Sequence, residues 1–186
     1  VAQFADAAVE TVDSCTRTNV AEFEEALAER LVEPAIGAPL TLESVTLEDT
    51  AVDTDPSVED FRTAQTGVAR AEVGLANYGT ISIESRAGGD ELVSLYPPRH
   101  VVVLDAADIV PDLAAAFDRF ESAIRDARES GGAGASRVLA TGPSATADMG
   151  ALVEGVHGPK EVHVVLLRDD GATDGSDAAD AAEGIQ

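Results

Sequence analysis

One cysteine stands in this chain of 186 residues, Cys15. A single thiol excludes an internal disulfide framework and any metal or iron–sulfur site built on several cysteines of this chain. Cys15 itself is expected as a small buried hydrophobe. Lysine is as scarce: Lys160 is alone among 12 basic residues, against 35 acidic ones and a formal net charge of −23. Phosphate contacts need clustered Lys and Arg, so the composition argues against nucleic-acid binding. No run approaches the roughly 18 apolar residues of a membrane-spanning helix. The opening VAQFADAAVETVD carries acids where a signal peptide carries basic residues, so a cytoplasmic protein without a targeting segment or membrane span is expected.

Hydrophobic residues make up 45% of the chain, enough for one folded domain. Its acids are spread along the length rather than massed in one tract. Two explanations compete, a basic partner and adaptation to high salt. At about 1 M salt the Debye length falls to roughly 3 Å, which screens self-repulsion on this scale. The spread of acids and the near absence of Lys point to an extreme halophile, and the expected source is a halophilic archaeon.

Along the chain, residues 1–12 are expected as a helix with Phe4, Ala8 and Val12 on one stripe. A second helix is expected after Asn19, with Glu22 at the capping-box position, a stripe of Phe23, Leu27 and Leu31, and Pro34 beyond its end. Ser57 is placed to cap a short helix through Arg62. Thr80 to Glu84 alternates as a strand, and RAGGDE after it reads as a loop. The β-branched run Val101 to Leu104 suits a strand buried on both faces. The longest helix is expected from Pro111, with Leu113, Phe117, Phe120 and Ile124 on one stripe. RVLAT then reads as a strand, TADMGALV as a short helix and EVHVVLL as the last strand. Strands alternating with helices predict an α/β domain with a mostly parallel sheet flanked by helices. The domain is expected over 1–168, helical to about 64, with 169–186 a disordered acidic tail. Ligands of such sheets gather at the carboxyl ends of strands. That rule points to the loops around 77–80 and 97–100 and to the stretch 141–167.

In ATGPSATAD, a strand ends at Thr141 and Gly142-Pro143 turns the chain. Ser144 or Thr146 is placed to cap the expected helix, whose free N–H groups would seat a carboxylate or phosphate. Asp148 would support that helix or orient a neighbouring Ser or His; an ordinary capped helix explains the same residues. GVHGPKEVHV puts His157 in a Gly-flanked turn with Lys160 three residues on. His163 falls in an apolar strand, as a core or edge histidine, and His100 precedes a buried strand after two prolines. No histidine spacing supports a metal, and none is expected. Asn77 and Thr80 flank a small polar turn at Gly79.

GPSATADMGALVEGVHGPKEVHVVLL is similar to the signature of the LUD-domain family of lactate-utilization proteins of the LutC type. GLANYGTISIES and LVSLYPPRHVVVL resemble two further blocks of that family, in the same order, over about Thr66 to Leu167. Matching positions are Gly79, Thr80, Pro97, Pro98, His100, Gly142, Ser144, Thr146, Asp148, His157, Gly158 and Pro159. The resemblance implies a fold of the phosphosugar-isomerase and CoA-transferase type. It implies an accessory role in oxidising L-lactate to pyruvate beside LutA-like and LutB-like iron–sulfur subunits, which would hold the clusters, this chain binding no cofactor. Two positions depart from the family. Asn77 stands where relatives usually have Glu before Thr-Gly-Thr, and Gly150 where they have a second Glu. Folds of this type use a loop Glu as a covalent nucleophile, which Asn77 cannot replace.

The alternative expectation is a stand-alone enzyme acting on a small phosphorylated or CoA-linked substrate. Its candidate catalytic residues are His157 as acid or base, Asp148, and Lys160 as anion clamp. The candidate ligand set, for a small anion, is Gly142, Ser144, Thr146, Asn77, Thr80 and His100.

Overall fold

Two adjacent interior strands, β7 (Arg99–Asp105) and β12 (Glu161–Leu167), belong to a six-stranded, all-parallel sheet in a computed structural model of the chain. The structure describes residues 1–129, 136–148, 151–154 and 157–168, with backbone alone for 146–148 and 151–154. On one side of the pair lies β1 (Ser14–Thr18), against β12. On the other, in order, lie β4 (Thr66–Ala71), β2 (Ala35–Gly37) and β3 (Val52–Asp53). Val101 to Leu104 is 0% exposed throughout, as a strand covered on both faces requires. Burying each of these side chains is worth roughly 1.5–3 kcal/mol.

Side-chain alternation sorts the sheet into two cores. Val101, Val103, Val165 and Leu167 meet Phe23 and Leu27 of helix α2 (Phe23–Ala28). Val102, Leu104, Val162, Val164 and Leu166 meet Phe4 and Ala8 of α1 (Ala2–Ala8), together with Ile81 and Ile83 of β6 (Thr80–Glu84). β6 belongs to a second sheet. It pairs antiparallel with β5 (Val73–Leu75) and with β9 (Arg137–Ala140), and β5 pairs parallel with β8 (Ile109–Val110). Ala116 and Phe120 of α5 (Leu113–Glu129) cover Val73 and Leu75 of that sheet. The fold is α/β, with a mostly parallel sheet flanked by helices, as the pattern predicts. Among the described residues, no helix is long and apolar enough to cross a membrane.

Several elements differ from the sequence expectation. The stretch expected as helical to about 64 also supplies β1, β2 and β3 to the central sheet. α1 stops at Ala8, where Thr11 and Val12 both donate their N–H to the Ala8 carbonyl. Asn19 Oδ1 accepts from the Glu22 N–H at 2.9 Å, but α2 begins only at Phe23 and ends before Leu31. α3 (Val58–Thr63) does form as expected, with Ser57 and Asp60 exchanging both capping-box hydrogen bonds. RAGGDE, expected as a loop, instead leads into α4 (Asp90–Leu95), with left-handed Gly89 at its N-cap. α5 starts at Leu113 rather than Pro111, and Leu113 and Phe117 of its expected stripe are exposed.

The largest correction concerns TADMGALV. It is no helix but an antiparallel hairpin of β10 (Ala145–Asp148) and β11 (Ala151–Glu154). The helix N-terminus expected to seat an anion at Ser144 and Thr146 therefore does not exist. The acidic tail expected from 169, and Gly150, lie outside the described residues.

Candidate functional site

Two Gly-Pro turns and one Pro-Pro turn meet at the amino edge of the parallel sheet. The Ser144 N–H donates to the Pro159 carbonyl at 2.9 Å, which joins the GPS turn to the HGP turn. The N–H groups of Lys160 and Glu161 donate to the Pro98 carbonyl at 2.7 and 3.1 Å, which joins HGP to PPRH. Close approach dictates glycine at two of these positions. Gly142 has φ +78°, and a Cβ there would lie 2.1 Å from the Thr11 carbonyl oxygen. A Cβ on Gly158 would lie 2.9 Å from Ser144 Cβ.

These turns enclose a cavity of about 230 Å³. Ile81, Ile83, Leu95, Val138, Ala140 and Val162 form apolar walls, and Ser94, His100, Thr141, Ser144 and His157 supply polar groups. Of the expected site residues, His100, Gly142, Ser144 and His157 thus converge on one space. Thr80 stands just behind it, its hydroxyl 2.6 Å from that of Thr141. His100 follows the alternation of Val102 and Leu104 and so faces this side of the sheet. It is 2% exposed, and its buried Nε2 has no hydrogen-bond partner among the described residues. Burial lowers its pKa to about 3, so the ring is neutral at any physiological pH. His157 is exposed at the cavity's rim.

Other expected residues lie elsewhere. Asn77 is exposed on a turn whose Gly79 abuts the backbone of Ala7 and Ala8, and it does not line the cavity. Lys160 lines a separate groove with Arg99, Glu161, Gln65, Pro98 and Val32. The side chains of Thr146 and Asp148 lie outside the described residues. His163, expected as a core or edge histidine, lies on an interior strand, with Nδ1 2.8 Å from Ser14 Oγ and Nε2 3.7 Å from Glu161 Oε2. Burial, and then the nearby Arg99 charge, lowers its pKa.

The carboxyl-end rule pointed to the wrong edge for two of its three loops. Pro97–His100 and Pro159–Lys160 precede β7 and β12 rather than follow them. The carboxyl ends hold something the sequence reading missed. Arg70 Nη2 donates to Asp108 at 2.8 Å and Arg70 Nη1 to the Thr41 carbonyl at 2.8 Å. Arg119 also pairs with Asp108, and Arg86 with Asp90 and with Thr41 Oγ1. Arg137 bridges Glu72, at 2.6 Å, and Glu84, at 3.3 Å. Apart from Arg86 and Asp90, four residues apart, these partners lie 11 to 65 residues apart, so no local pattern announces them. Every guanidinium named here faces a carboxylate, which makes this network a strut rather than an anion trap.

The model of the LUD domain family matches residues 3–167. Among curated proteins, the chain is similar to lactate utilization protein C of Shouchella clausii, 29% identical over 164 residues, covering 86% of this chain and 67% of the relative. The protein of the same name from Deinococcus radiodurans is 29% identical over 175 residues, covering 89% and 78%. That of Bacillus subtilis is 32% identical over 122 residues, covering 63% of this chain and 49% of the relative. The chain thus spans from about half to about three quarters of the length of these relatives. Among solved structures, a DUF162 family protein from Deinococcus radiodurans shares the fold, with a TM-score of 0.62 at 22% identity, covering 89% of this chain and 94% of that one.

Proposed function

Because the chain belongs to the LUD domain family, we propose that it is a LutC-type component of a lactate-utilization system, one that oxidises L-lactate to pyruvate in the cytoplasm of a halophile. In this reading LutA-like and LutB-like subunits hold the iron–sulfur clusters and carry the electrons. The present chain, with Cys15 alone, contributes a binding site and a docking body. The observation that carries the reading is the cavity. Three blocks far apart in sequence, 97–100, 141–144 and 157–159, meet there and are tied to one another by backbone hydrogen bonds. Backbone ties hold side chains such as His100 and Ser144 in place more firmly than loop packing alone would.

Deletion of the gene tests this. The expected result is slow or absent growth on L-lactate with normal growth on glucose, restored by the intact chain. Affinity capture from lactate-grown cells is expected to bring down cysteine-rich, cluster-bearing proteins. Normal growth on lactate after deletion, with no such protein captured, would overturn the proposal.

A further inference from the structure

We propose that the amino-edge cavity takes a neutral carbonyl compound, an amide, ester or thioester of a small hydroxy or oxo acid, rather than the free carboxylate. Its oxygen would meet His100. The inference rests on the lactate reading for the size of the acid and deepens it.

The cavity offers a carboxylate no Lys or Arg. All 12 basic residues of the chain fall among the described residues, and none of them lines the cavity. The hairpin 145–154 beside the GPS turn adds no base, because its only charged residues are Asp148 and Glu154. Val138 and Ala140 do line the cavity, but their neighbour Arg137 is committed to Glu72 and Glu84 on the other side of β9. A carboxylate moved from water into apolar walls without a cation loses more in hydration than neutral hydrogen bonds return.

A neutral carbonyl fits what is there. His100 is buried as an uncharged ring, and among the described residues its Nε2 has no hydrogen-bond partner. As the Nε2–H tautomer, it donates one hydrogen bond to a carbonyl oxygen. Ser144 also lines the cavity and offers a hydroxyl for a second polar group. The cavity, of about 230 Å³, has room for a small acyl compound of about three carbons. His157 at the rim leaves room for the remainder of a larger ligand to pass into solvent.

The test compares two nearly isosteric probes, L-lactamide and L-lactate, on the full chain in molar KCl, with the histidine rings labelled for NMR. Lactamide is expected to move the His100 resonances and to bind at least about tenfold more tightly than lactate. His100→Phe is expected to abolish that binding. Ala140→Phe, which fills the cavity from the opposite wall and leaves His100 in place, is expected to do the same, with thermal stability checked for both. Lactate binding as well as lactamide, no response of His100 to either probe, or undiminished binding by a folded Ala140→Phe variant would each overturn the proposal. Growth on lactate separates the two levels. Normal growth after deletion with lactamide binding intact removes the lactate role and leaves the neutral-ligand cavity standing.

Discussion

Replacing Gly142 by Ala probes how the GPS turn is held, and the structure supplies an internal control. Gly142 and Gly89 share a left-handed backbone, with φ +78° and +82°. A side chain in that conformation costs about 1–2 kcal/mol. Around Gly89 a Cβ would meet nothing within 4 Å, so Gly89→Ala is expected to cost that amount and no more. At Gly142 the Cβ would lie 2.1 Å from the Thr11 carbonyl oxygen, a backbone atom that no rotamer change can move. Overpacking of this kind adds about 1–3 kcal/mol, for a total of about 2–5 kcal/mol. In a protein of this size, each kcal/mol lowers Tm by about 2–4 °C. Thermal unfolding followed by circular dichroism in molar KCl is therefore expected to show a drop about twice as large, or larger, for Gly142→Ala as for Gly89→Ala. Gly158→Ala isolates the other half of the argument. Its Cβ would crowd Ser144 Cβ at 2.9 Å with no left-handed backbone involved. Adding Ser144→Gly should recover most of that loss. Equal drops for Gly142 and Gly89, or no rescue of Gly158→Ala, would refute the claim that contact between turns dictates these glycines.

Other consequences are as direct. His100 is held neutral with a pKa near 3 while the unfolded residue titrates near 6.5, so the unfolded state alone takes up a proton between those values. The stability His100 supports is complete above about pH 6.5 and is lost as pH falls towards 3; His100→Leu should flatten the slope of stability against pH there by up to about 1.4 kcal/mol per unit. Arg137→Met leaves Glu72 and Glu84 facing each other at a site where the Arg137 side chain is 8% exposed; denaturant titration should show a loss of about 3–5 kcal/mol, and a loss below about 1 kcal/mol would contradict the strut. With a net charge of −23, Tm should rise steadily from low salt to about 1 M KCl, as the Debye length shrinks to about 3 Å, and a flat profile would contradict the high-salt explanation of the composition.

What could be read from the sequence follows from how local each determinant is. β6, β7, β12 and α3 were legible because alternation, a β-branched run and a serine N-cap are each written within a few residues. β1 was not, since SCTRT is a polar edge strand whose pairing with β12 is a tertiary fact. TADMGALV misled for a related reason. Its Ala, Leu and Met favour a helix, and pairing of Ala145–Asp148 with Ala151–Glu154 overrides a weak propensity. His100, Ser144 and His157 could be picked out as residues, but their meeting place could not. Parallel order puts their loops at the amino edge, whereas the general rule looks to the carboxyl edge, and it leaves Asn77 and Lys160 outside the cavity.

The pairing of β1 with β12 also bears on how the chain is made. Ser14 faces His163, and the partner of the first strand leaves the ribosome 149 residues later. Until Glu161–Leu167 emerges, β1 has no neighbour, and β7 shows a bare apolar flank where β12 will lie. The turns that bound the cavity cannot close either, because Pro159 and Lys160 arrive with the same strand. Folding of this sheet is therefore completed by β12 entering between β1 and β7, which closes the sheet and the cavity together. A nascent chain stalled before residue 160 would be a natural client for chaperones that hold exposed β-edges, and ligand binding should appear only once Glu161–Leu167 has emerged.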